Sequence, residues 1–313
     1  MSDEDINTSE IPPLSEEFFH RWLKRYKSAF GHRALMKMKI FPARIHILLA
    51  SQATVGLIIR RGPSKQVATI LWDRQCDRFQ LGQWLKGRIY ERRSDLSPDG
   101  KYLIYFAMNG RWQSEACGAW TAISQAPYLN AIAIFPKGDC WHGGGLWTSK
   151  ATYWLNDGYG HQILRDTSTV RRDTTYAPTC NYGNNECLGV YYPRLLRDGW
   201  QLVDRVQFGK WKAQDIFEKS IGNDWILRKI AHAEIDKPEG KGCYWDEHSL
   251  VNRATNATIS YPQWEWAELD GKRLVWAAEG NLYAAEVTAE GLTNVVLLFD
   301  FNDMQFQPVA APY

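Results

Sequence analysis

No stretch of this chain approaches the ~20 consecutive apolar residues that a membrane-spanning helix needs. The best runs, Ile45–Ala50 and Val55–Ile59, are strand-sized. Residues 1–17 hold six acids, no Lys or Arg and no apolar segment, the reverse of a secretory leader. Six cysteines stand at 76, 117, 140, 180, 187 and 243, none in the spacing of a structural zinc site. The expectation is a cytoplasmic protein with reduced thiols, no membrane contact, no metal and no cofactor, with pairing of Cys180 and Cys187 left open. The Gly-x-Ser-x-Gly elbow, the phosphate loop and the dinucleotide fingerprint are missing. Repeated crossover helices are missing too, which excludes a parallel sheet built from βαβ units.

Aromatic residues are plentiful: 15 Trp, 15 Tyr and 12 Phe in 313 residues. Large rings suit strands and cores, and they also suit exposed platforms for sugars or bases; both readings stand at this point. The net charge is only +2, but it is unevenly spread. Residues 18–72 carry eleven Lys or Arg and no acid. Within that stretch Arg21, Lys24, Arg25, Lys27, Arg33, Lys37 and Lys39 form a candidate basic patch. Such a patch favours an acidic partner or nucleic acid, unless the acidic tail folds back on it.

Residues 1–13 read as a flexible acidic tail, and 14–41 as an amphipathic helix with a linker. Ser15 caps that helix, and Phe18, Phe19, Trp22, Leu23, Tyr26 and Phe30 recur at helical spacing. From Pro42 to the end, short segments rich in Val, Ile, Tyr, Phe and Trp alternate with turn residues. About eighteen strands are expected, among them Thr54–Arg61, Tyr102–Met108, Val190–Tyr192 and Arg273–Ala278. Lys210–Ser220 has a weak helical pattern. Residues 161–193 and 236–248 read as insertions.

Three segments share one form: Ser97-Pro-Asp-Gly-Lys-Tyr-Leu-Ile-Tyr105, Leu196-Arg-Asp-Gly-Trp-Gln-Leu-Val-Asp204 and Glu268-Leu-Asp-Gly-Lys-Arg-Leu-Val-Trp276. Asp-Gly supplies a tight turn, and the alternating residues after it start a half-buried strand. The first and third resemble the repeat unit of TolB-type β-propellers. That resemblance implies an all-β propeller over 42–313, and its length, at roughly 45–55 residues per blade, gives five blades. Six blades, or a pair of β-sandwiches, are the alternatives. A propeller implies no particular activity.

Trp154-Leu-Asn-Asp-Gly, Arg165-Asp166 and Glu186-Cys187 resemble the motifs of invertase-type glycosidases. By that resemblance Asp157 is the nucleophile, Asp166 the transition-state stabiliser and Glu186 the acid. In that family the motifs lie on different blades; here they fall within 34 residues, and Gly158 replaces a proline. Read from the residues alone, Asn156-Asp157-Gly158 is a hairpin turn, so no catalytic residue is assigned. Gly143-Gly-Gly145 reads as a sharp bend beside large rings. Trp141, His142, Tyr176, Tyr182, Tyr191 and Tyr192 are the candidate partner-binding residues, because aromatic loops on a rigid scaffold make contact surfaces. The expected function is non-enzymatic: binding a protein partner through funnel-side loops, as a bacterial toxin-neutralising protein or a scaffold. Carbohydrate binding or glycoside hydrolysis is the alternative, and nucleic-acid binding through residues 18–72 the second.

Overall fold

The computed structural model describes residues 41–313 except 64, 159, 179–187, 210–211 and 240. The expected N-terminal helix and basic patch therefore lie outside the described residues, as do Tyr182, Glu186, Cys180 and Cys187. The chain divides into Met1–Phe41 and Pro42–Tyr313, and every described strand and helix belongs to the second unit.

Among the described residues, twenty strands form five sheets that succeed one another along the chain. Sheet A holds β1 (Arg44–Leu49), β2 (Val55–Arg61), β3 (Gln66–Asp73) and β4 (Arg78–Lys86). Sheet B holds β5 (Arg88–Leu96), β6 (Tyr102–Met108), β7 (Ala119–Gln125) and β8 (Ala131–Pro136). Among the described residues sheet C holds β9 (Gly145–Trp147), β10 (Thr152–Leu155) and β11 (Arg171–Arg172). After a helix, α1 (Leu188–Arg197), sheet D holds β12 (Gln201–Gly209), β13 (Lys212–Gly222), β14 (Trp225–Glu234), β15 (Tyr244–Asn252) and β16 (Thr258–Ser260). Sheet E holds β17 (Trp264–Asp270), β18 (Arg273–Ala278), β19 (Asn281–Thr288) and β20 (Gly291–Asp300). Neighbouring strands pair antiparallel in sequence order, except for the two-residue parallel pairing of β11 with β10. No described helix is long and apolar enough to cross a membrane.

The expected all-β architecture is present. Its consecutive apolar runs arise because middle strands are covered on both faces. Successive side chains on a strand point to opposite sides. In β2, Leu57 and Ile59 enter a core shared with Leu103, Tyr105 and Trp120 of sheet B. Ile58, between them, enters a core shared with Trp266, Val275 and Leu282 of sheet E. A third core joins Ile104, Ile123 and Phe135 of sheet B to Trp147 and Tyr153 of sheet C. The fourth joins α1, sheet D and sheet E through Tyr192, Leu195, Phe217, Leu250, Trp264 and Trp276. Most of the tryptophans are spent on these seams, so core packing accounts for their number.

Beyond β20 the chain runs across sheet A to sheet B. Arg60 donates to the carbonyls of Phe301 and Asn302, both at 3.1 Å. Gln83 donates to the carbonyl of Val309 at 2.7 Å. The Tyr313 hydroxyl donates to the Asn130 carbonyl at 2.8 Å.

Four expectations need correction. Val190–Tyr192 lies inside α1, not in a strand. Leu188, Tyr191, Tyr192 and Leu195 make the i, i+3, i+4, i+7 stripe of a buried helix face. The Asp-Gly of the second repeat-like segment, Asp198-Gly199, ends that helix instead of turning a hairpin. Gly199, at φ +90°, donates to Leu196, and Trp200 donates to Leu195, the paired bonds of a Schellman cap. The weakly helical Lys210–Ser220 is largely β13, whose partners on both sides fix it as a strand. The insertion placed at 236–248 includes half of β15, which pairs with β14 from Tyr244 onward. The sequence reading also missed β5, a strand rich in charge.

Candidate functional site

A cluster of polar side chains is buried between strands of sheets A, B and D and helix α1. His46 on β1, Arg92 on β5, Tyr191 and Arg194 on α1, Lys229 on β14 and Asp246 and His248 on β15 supply it. Arg92 contacts Asp246 at 2.7 Å. The Tyr191 hydroxyl donates to the other Asp246 oxygen at 2.5 Å and accepts from Lys229 Nζ at 3.2 Å. Arg194 donates to the Glu91 carbonyl at 3.1 Å, to the Ser94 carbonyl and to His46 Nε2 at 3.1 Å. The His248 ring donates from Nδ1 to the Trp264 carbonyl at 3.1 Å.

Burial sets the ionisation here. It pushes Asp246 up, but Arg92 and Lys229 outweigh it and hold the carboxyl below its usual range. Burial lowers Lys229. It also carries His46 well below the usual imidazole value, aided by Arg194 and Lys229. His248 falls to about 3, again through burial first and Lys229 second. Both rings are therefore neutral at pH 7.

Two cavities open at opposite ends of this cluster, sharing β1, β5 and β17 as walls. One, of about 440 Å³, lies toward the C-terminal end of β1 and is bordered by Asp95, Arg194, Arg197, Lys219, Lys229 and Glu268. The other, of about 280 Å³, lies toward the N-terminal end of β1, beside Glu91, Arg92, Tyr244 and Glu265.

A second feature is the pair of loops beside sheet C. Arg93 is 3% exposed. It donates to the carbonyls of Cys140, at 2.7 Å, and His142. These carbonyls flank Trp141 on both sides. The Trp141 amide donates to Asp139 Oδ1 at 2.8 Å. The indole itself is 58% exposed, so a fixed backbone presents a large bare ring. The expected bend at Gly143–Gly145 is real: a Cβ on Gly143 meets the Phe106 ring, and one on Gly144 meets the Arg93 carbonyl. Both residues have positive φ, and no other residue type fits there.

The second loop is held by a relay. Asp157 accepts from His161 Nδ1 at 2.8 Å and from Arg172 at 2.7 Å. Since the carboxylate only accepts, His161 Nε2 takes the Thr121 hydroxyl proton, at 3.2 Å. That order matches a nucleophile triad. However, Thr121 has no exposed surface, and its oxygen accepts the Gly144 amide at 2.8 Å. The relay fastens both loops to β7.

The candidate residues scatter. Trp141 and His142 sit on the clamped loop. Tyr176 is half-buried against Trp154, with ring centroids 5.7 Å apart. Tyr191 and Tyr192 are 1% and 0% exposed and pack inside, out of reach of a surface partner. Asp157 is committed to His161 and Arg172, and Asp166 is exposed and accepts the Thr167 amide. The sequence reading missed Arg92, Arg93, Arg194, Lys229 and Asp246. The one signal available was the dense charge of β5, Arg88-Ile-Tyr-Glu-Arg-Arg-Ser-Asp-Leu96, in a region otherwise apolar.

No family model matches the chain, and no curated protein matches it. Among solved structures it is similar to an uncharacterised protein of Listeria monocytogenes, at 12% identity and a TM-score of 0.28, over 81% of this chain and 66% of the other. It is also similar to the AtxE2 isopeptidase with Astexin3-dC4 bound, at 10% identity and 0.36, over 83% and 53%. A prolyl endopeptidase shows 8% identity and 0.28, over 90% and 48%. The chain thus spans half to two thirds of these proteins. Similarity this slight identifies neither a fold family nor an activity.

Proposed function

We propose that the five sheets are the blades of a five-bladed propeller and that the protein is a non-enzymatic binder of a protein partner. The blade reading is supported by the seams: E meets A, A meets B, B meets C and D meets E through the four cores. Helix α1, which touches β5, β9 and β12, fills the remaining gap between sheets C and D.

The binding reading rests on one observation, the exposed Trp141 ring on a backbone clamped by Arg93 and Asp139. Interface hot spots are enriched in Trp, and a side chain held in place beforehand loses less entropy on binding. A photo-crosslinking amino acid at position 141, introduced in the native host, tests it. The expected result is one discrete protein adduct, absent when the same group is placed at the equally exposed Val295 on β20. No adduct, or the same adducts from both positions, contradicts the reading.

A further inference from the structure

The larger cavity holds more positive than negative charge, and the imbalance is local. Arg74 pairs with Asp270 at 2.8 Å, Arg197 with both Asp95 at 2.6 Å and Asp198 at 2.8 Å, and Lys219 with Glu268 at 2.7 Å. Lys229 and Arg194 have no carboxylate within ion-pair distance among the described residues. The acids nearest Lys229 are already engaged: Asp246 by Arg92 and Tyr191, Glu268 by Lys219 and the Trp200 indole. Lys229 is 2% exposed. Of its three N–H groups, one reaches an acceptor, the Tyr191 hydroxyl. His46, neutral and accepting from Arg194, adds no countercharge.

Lys229 also lies over the Trp200 ring, 4.4 Å from its centroid, and Arg194 has three neutral acceptors. Both cations thus have partners but, among the described residues, no countercharge; an anion in the cavity supplies one. The cavity is large enough to admit one, at about 440 Å³, within the usual range for small-molecule sites. Its remaining wall is apolar: Leu49, Leu195, Trp266 and Leu269 line it beside the cations. An inorganic anion leaves that surface uncovered, whereas an organic acid covers it.

We propose that this cavity binds a small organic carboxylate, its charged end against Lys229 and Arg194 and its hydrocarbon body on Leu49, Leu195 and Leu269. The site is separate from the Trp141 loop, so either proposal survives failure of the other.

Calorimetric titration of the full chain with hexanoate and phenylpropanoate tests it, with hexanol and inorganic phosphate as comparisons. Both carboxylates are expected to bind, and to bind at least about tenfold more tightly than hexanol or phosphate. Lys229→Met is expected to abolish binding while the circular dichroism spectrum is kept. Leu269→Trp, which fills the cavity without touching its charges, is expected to do the same and serves if Lys229→Met does not fold. The proposal is overturned if neither carboxylate binds at millimolar concentration or if hexanol or phosphate binds as tightly. Undiminished binding by either folded variant overturns it as well.

Discussion

Sheets E and C solve the same problem by opposite means. Sheet E has four full strands and a continuous run of stacked rings: Tyr261 on Trp264 at 3.9 Å, Trp264 on Trp276 at 4.9 Å and Trp276 on Tyr283 at 5.6 Å. Sheet C has three short strands, and its loops are fixed by side chains reaching over from sheet B, Arg93 and Thr121 above all. Apolar burial holds E together and hides Trp264 and Trp276. Polar clamping holds the loops of C and leaves Trp141 bare. A ring left bare contributes no burial, so the loop that carries Trp141 is stabilised by hydrogen bonds instead.

The sharpest way to break this contrast is to remove a ring from the stack. Trp276→Ala is expected to destabilise the protein by about 3–5 kcal/mol, the usual cost of a large cavity in a packed core. Urea unfolding measures it; a loss under about 1 kcal/mol denies that the stack carries sheet E. Next in size is the clamp. Arg93→Met leaves the Cys140 and His142 carbonyls without their donor, at about 2 kcal/mol. It is also expected to free the Trp141 loop, read as faster amide exchange at 140–143 with exchange in sheet E unchanged. Equal exchange in both regions contradicts the division.

The third effect acts on the seam between sheets D and E and depends on pH. His248, which bonds the Trp264 carbonyl, titrates at about 3 in the folded protein, against ~6.5 unfolded. The unfolded chain therefore binds more protons between those values. The stability contributed by neutral His248 is complete above about pH 6.5 and is lost as pH falls toward 3. At pH 5 the loss is about 2 kcal/mol from this residue alone. His46, lowered in the same direction, adds to it. A melting temperature unchanged between pH 7 and pH 5 contradicts this assignment.

The sequence revealed sheets A and E almost strand for strand, because strand patterning and burial agree there. In sheet E the turn Asp270-Gly271 also sits between two strands, as Asp99-Gly100 does in sheet B, and β2 and β18 are buried on both faces. It failed where strands bury polar side chains. In β5, Arg92, Arg93 and Asp95 are buried, so the apolar alternation that marks a strand is absent. In β15, Asp246 and His248 hide the pattern in the same way. Helix α1 read as a strand because Val190, Tyr191 and Tyr192 favour extended chains and Pro193 stands among them. The Leu188, Tyr191, Tyr192, Leu195 spacing and Gly199 were the countersigns. The clamp on Trp141 had no local signature, since Arg93 lies 47 residues before Cys140.

Trp141 is the proposed anchor for a partner, a bare ring on a fixed backbone. Once crosslinking has named that partner, the dissociation constant of Trp141→Ala is the direct measurement. Affinity is expected to fall by about thirtyfold, as for a hot-spot aromatic, with folding stability changed by no more than about 0.5 kcal/mol. Unchanged affinity in a folded Trp141→Ala protein contradicts it.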